Sequence, residues 1–168
     1  AAVNREGCAL RYAAETFKSD HEMTLTAVKR DGRALEYAAD ACRSEREIVM
    51  AAVTQNGSAV QYAAEALKRD HAVAFAAVSL DGEALQYVAE ACKSDHAIVL
   101  AAVQQAGHAL EYAAEACKGE REIVYAALRY QVTALRWAAE SLLEDASFAV
   151  EAKRHHVLVR VSLMSGRS

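Results

Sequence analysis

The sequence contains no proline and only 7 glycines in 168 residues, too few turn formers for an all-β chain. Aromatic residues make up 7%, so few large side chains are on hand to build thick core layers. The 4 cysteines stand too far apart for the disulfide framework of a small secreted domain, which points to an intracellular, reducing compartment. No apolar run reaches the roughly 18 residues a membrane span requires. A basic excess is also missing: 19 Lys and Arg face 23 Asp and Glu, a net charge of −4, which argues against a general nucleic-acid binder.

Alanine is abundant. It supplies 39 residues of the 54% apolar content, favours helix and lets backbones approach closely. The expected class is all-α.

Self-similarity sets the architecture. Gly7, Gly32, Gly57, Gly82 and Gly107 fall 25 residues apart, and the same step carries Tyr12, Tyr37, Tyr62, Tyr87, Tyr112 and Trp137. Each unit has two apolar runs split by the glycine. In the second run, Ala34, Leu35, Tyr37, Ala38, Ala39, Ala41 and Cys42 cover an arc of roughly 200° at helical period, leaving Glu36, Asp40 and Arg43 outward. An arc that wide suits a helix packed on several neighbours. The first run, such as Ile48 to Val53, is apolar almost all round and is the more buried helix. Ser19 with Glu22 and Ser44 with Glu47 have capping-box spacing, and the glycine suits a left-handed residue closing a helix. The acid and base three apart, as in Glu15 and Lys18 or Asp40 and Arg43, form a self-paired outer strip. The expectation is an α-solenoid of helical hairpins, with helices of about ten residues that need stacking to be stable.

The array is expected over residues 1–154. Ala1-Ala2-Val3 aligns with Ala51-Ala52-Val53, so the first helix is read as truncated and the chain as a fragment. After His155-His156 the period breaks, and Val157, Val159, Val161 and Leu163 alternate ahead of Ser165-Gly166. Residues 155–168 therefore read as a linker and a short C-terminal β-strand, the start of a further domain.

The phrase Ile98 to Val103 followed by Gly107, Ala109, Leu110 and Tyr112 to Glu115 resembles the repeats of domain of unknown function 4116 over about residues 1–154. The resemblance implies an architecture and no activity. The terminal segment, through Val157, Val159, Val161, Ser165, Gly166 and Arg167, resembles the first strand and turn of a ubiquitin-like domain.

Candidate chemistry is sparse. Cys42, Cys92 and Cys117 share a column with Phe17, Leu67 and Leu142, the pattern of a buried small hydrophobe, and one repeat of separation, about 8–10 Å, exceeds disulfide reach. Cys8 lies in a variable column after glycine. His21, His71 and His96 alternate with Arg46 and Arg121 near a helix start, without the four converging ligands zinc needs. No cofactor and no metal are expected, and no catalytic motif is present. The tyrosine column is read as packing at the rim of the buried arc rather than base stacking.

These features describe a non-catalytic protein-interaction scaffold, a segment or subunit of a larger assembly. The alternatives are a nucleic-acid-binding repeat and an auxiliary domain of a larger enzyme. The partner surface is read from departures from the repeat. Leu80 and Tyr130 interrupt a column otherwise held by Arg30, Gln55 and Gln105, and Arg129 and Arg136 lie near the second. Leu80, Arg129, Tyr130 and Arg136 are the expected anchors.

Overall fold

The computed structural model describes residues 7–154. The strand and the ubiquitin-like segment expected at 155–168, and the truncated opening helix, lie outside them. Among the described residues every regular element is helical. Ten-residue α-helices at His21–Arg30, Arg46–Gln55, His71–Leu80, His96–Gln105 and Arg121–Tyr130 recur with the 25-residue period, and Ala146–Arg154 follows. They are as buried as their all-round apolar sequence requires: Ile48, Val49, Ala52 and Val53 are inaccessible to solvent. Thr24 stands in the Val49 column and is equally buried. Its hydroxyl donates to the Lys18 carbonyl, 3.3 Å away, which removes most of the cost of burying it.

The second half of each repeat corrects the simple hairpin. It is a six-residue 3-10 helix, as in Gly32–Tyr37 and Gly57–Tyr62, followed by a single α-turn, as in Asp40–Arg43 and Glu65–Lys68. Between them the chain is extended, with φ −70° and ψ 150° at Ala38 and φ −67° and ψ 158° at Ala39. An unbroken helix would spend the Ala39 amide on Leu35. Here it donates to the carbonyl of Lys18 in the preceding repeat, at 2.9 Å, and the contact recurs as Ala64 to Arg43, Ala89 to Lys68, Ala114 to Lys93 and Ala139 to Lys118. Each repeat thus gives up helical continuity for a backbone bond to its neighbour. Leu35 and Cys42 are buried and Glu36 is exposed, as the helical arc required, whereas Ala39, beside the break, and Arg43 are half-buried.

The glycines serve a different purpose from the one their position suggested. They open the 3-10 helix and are not left-handed. Gly32, Gly57 and Gly82 are buried where a Cβ would lie under 3.0 Å from the carbonyl oxygens of Ala52, Ala77 and Ala102 in the next repeat. The long helix of the following unit presses directly on this backbone. Val132 occupies the same column and is 44% exposed.

The helix starts also move by one residue. Ser19 and Ser44 finish the single α-turn, with their hydroxyls donating to the carbonyls of Glu15 and Asp40. At three of the long helices the following acid is the cap: the Asp20 carboxylate accepts from the Met23 amide, Asp70 from Ala72 and Val73, and Asp95 from Ile98, whereas Glu45 and Glu120 hold the same position without a side-chain bond to the helix. A carboxylate both satisfies the free amides and complements the helix dipole, so it displaces serine from the role.

Candidate binding groove

From Glu45 onward, the acids that precede the long helices reach back to the preceding repeat. Each faces a base one repeat earlier, giving His21–Glu45 at 2.5 Å, Arg46–Asp70 at 3.0 Å, His71–Asp95 at 3.4 Å, His96–Glu120 at 2.5 Å, and Arg121–Asp145. The histidine column is therefore one side of an inter-repeat charge ladder. The hydrogen bond to Glu120 raises the pKa of His96. Asp145 is held down at about 2 by the Ser147 hydroxyl and amide and by Arg121. Among the described residues no cluster of three or more metal-ligating side chains occurs.

The cysteine column is structural. Cys42, Cys92 and Cys117 are buried free thiols. Burial pushes the Cys117 thiol up to about 11 and raises Cys92 as well, so both are protonated and poorly nucleophilic at neutral pH. On the opposite strip the acids bind their own repeat's bases, with Glu15–Lys18 and Glu65–Lys68 at 2.8 Å and Asp40–Arg43 at 3.6 Å.

What remains is the face made by the stacked 3-10 helices. A groove of about 590 Å³ opens there between the second and third of them, walled by the Tyr37 and Tyr62 rings and by Arg33, Glu36, Asn56, Ser58, Gln61 and Asp81. A second hollow of about 430 Å³ shares Glu36 and Tyr37 with it and continues to Asp40 and Arg43. Tyr37, Tyr62, Tyr87, Tyr112 and Trp137 are half-buried against the core, the rim position their column implied. The backbone holds the groove walls in place. Asn56 caps its 3-10 helix by accepting from the Ser58 amide, Ser58 donates to Asp81, and the Gln61 amide donates to the Ser58 carbonyl. Burial and then the nearby Glu36 carboxylate raise the pKa of Tyr62; burial followed by Glu111 and Glu83 does the same at Tyr112.

The sequence alone does not single out the groove residues, because the tyrosine column has the pattern of packing at the rim of a buried arc. Their signal is two polar columns ahead of a constant ring: Arg33, Ser58, Glu83 and His108 four residues before it, different in every unit, and Glu36, Gln61, Gln86 and Glu111 directly before it. The expected anchors lie partly elsewhere. Leu80, 52% exposed, and Tyr130, 64% exposed, end the His71–Leu80 and Arg121–Tyr130 helices, with the His96–Gln105 helix between them. Arg129 is exposed beside Tyr130. Arg136 belongs to the 3-10 face, its guanidinium 4.7 Å from the Trp137 ring centroid. The four residues thus mark two places, one on the edge of the long helices and one on the groove face.

Comparison with curated proteins and with solved structures returns no match. A family model described as a domain of unknown function (DUF4116) matches residues 1–43, 22–68, 45–93, 70–118 and 95–143. Successive matches overlap by about one 25-residue unit, so the family's own unit spans two neighbouring repeats, the smallest piece in which the glycine, backbone and charge contacts between repeats are all present. With nearly the whole array tiled in this way, the chain belongs to the DUF4116 family.

Proposed function

We propose that this chain is a non-catalytic interaction scaffold that holds a protein partner along the groove of its 3-10 face. One observation carries the reading: the glycine approach and the backbone bond that stack the repeats recur from unit to unit, while the polar residue four positions before each tyrosine differs in every unit, as Arg33, Ser58, Glu83 and His108. A stacking role needs no such variation, and a recognition role uses it, because a rigid repeat surface discriminates through the side chains it presents. The exposed edge at Leu80, Arg129 and Tyr130 serves as a second contact on the same partner or its assembly. Buried free thiols suit a reducing compartment.

The test places a photo-crosslinking residue at Gln61 or Gln86 in the groove, and separately at Ala66 or Ala91 on the exposed side of the short α-helical turns, in the full-length protein in its native cells. Crosslinked protein recovered from the groove positions in excess over the turn positions supports the reading. Crosslinks to nucleic acid, or an even distribution over both faces, overturns it.

A further inference from the structure

The middle of the tyrosine row differs from its ends in one respect that bears on the partner's chemistry. The residue just before the ring is Arg11 and Arg136 in the outermost described repeats, and Glu36, Gln61, Gln86 and Glu111 between them. At the ends the chain covers its own aromatic faces. The Arg11 guanidinium lies 5.7 Å from the Tyr12 ring centroid and 5.8 Å from that of Tyr37, and Arg136 lies 4.7 Å from Trp137. These are ordinary cation–π distances. Among the described residues, Tyr62, Tyr87 and Tyr112 have no such cation, and the carboxylates of Glu36 at Tyr62 and of Glu111 and Glu83 at Tyr112 act on the phenols instead. The groove wall at Tyr62 carries Glu36 and Asp81 against the single base Arg33, leaving it net negative.

We propose, resting on the scaffold reading above, that the row from Tyr62 to Tyr112 binds an extended basic segment of a partner protein, with arginine or lysine side chains over the rings as Arg11 and Arg136 lie over theirs. The spacing fits such a segment. Stacked helices repeat every ~8–10 Å, and a polyproline-type chain advances about 9 Å in one turn of three residues. One basic side chain in three would then meet one ring per repeat. Single-stranded nucleic acid is disfavoured on the same surface, because its phosphates would meet the carboxylates of Glu36, Asp81 and Glu111.

The test uses the full chain, a single-stranded thymidine oligonucleotide and three synthetic peptides: four copies of Arg-Pro-Ser, a shuffled peptide of equal composition without the three-residue period, and four copies of Glu-Pro-Ser. Calorimetry or fluorescence anisotropy should show the periodic basic peptide binding at least tenfold more tightly than either control. Binding should fall at least tenfold in Tyr87→Ser and in the exposed-site variant Glu111→Gln, whose circular dichroism melt reports whether it is folded. Equal affinity for the shuffled peptide, unchanged binding in a folded Glu111→Gln variant, or preference for the acidic peptide or an oligonucleotide overturns the proposal. Groove crosslinks to protein without basic-peptide binding would sink this chemistry while leaving the scaffold reading intact.

Discussion

A methyl group is the smallest probe of how closely these repeats press together. Gly57→Ala adds one where the Ala77 carbonyl and the Asp81 side chain already fill the space, so the two backbones must separate. The expected loss is about 1–3 kcal/mol in urea denaturation, the usual range for overpacking, despite alanine's better helix propensity; an unchanged midpoint would mean the close approach is not structural. The same logic of space runs the other way at Leu80 and Tyr130, which are exposed at the ends of their helices. Leu80→Ser and Tyr130→Ser should leave helicity and Tm within a degree or two of the parent while weakening capture of the partner, and early melting would assign both residues to the core instead. For the cysteines, burial of all three thiols, with a raised pKa at Cys92 and Cys117, gives a kinetic expectation. Cys42, Cys92 and Cys117 should resist a maleimide in the native protein and react within minutes in guanidinium, as followed by mass spectrometry.

At the scale of the element, the period, the ten-residue helix, the buried columns and the self-paired acids are legible because each rests on residue type at a fixed spacing. The break at Ala38-Ala39 is not. Two alanines favour helix by every local measure, and what overrides them is the backbone bond from Ala39 to Lys18, a contact 21 residues away in sequence. The cap was misplaced by one residue for a similar reason, since Ser19 and Asp20 are both good caps and only the single α-turn before them decides which one is free. The groove went unseen because its walls come from neighbouring repeats. The charge ladder yields a pH expectation. His96 binds its proton more tightly in the folded state because of its hydrogen bond to Glu120, with Glu122 at 3.6 Å and Asp95 reinforcing it. A raised pKa means the rung contributes fully below the ordinary histidine value of about 6.5 and is lost as pH rises through the higher folded value. The urea midpoint should therefore fall as pH rises above about 6.5, and His96→Gln should flatten part of that slope. The effect is modest because the rung is half-exposed and screened by solvent. A slope identical in the variant would show that the rung contributes nothing.

For the molecule as a whole, the main contacts among the described residues join each repeat to its neighbours: the long helices, the 3-10 helices and the carboxylate ladder all connect one unit to the next. Stability in such a stack is a sum of unit terms and nearest-neighbour terms, so the effects of two changes depend on how many units separate them. Gly57 and Gly82 sit on opposite sides of one unit: Gly57 presses on Ala77 and Asp81, and Gly82, the residue after Asp81, presses on Ala102. A shift of the His71–Leu80 helix that relieves Gly57→Ala alters the approach at Gly82, and the two changes should couple. Gly32 presses on Ala52 and Gly107 on Ala127, with two whole units between the affected helices. Gly32→Ala and Gly107→Ala should accordingly add to within about 0.5 kcal/mol, while Gly57→Ala with Gly82→Ala departs from additivity by more than that. Urea denaturation of the four single and two double variants decides it, provided that each transition remains two-state. Coupling as large for the distant pair as for the adjacent one would mean that strain is carried along the entire stack, and the array would then have to be treated as one cooperative body.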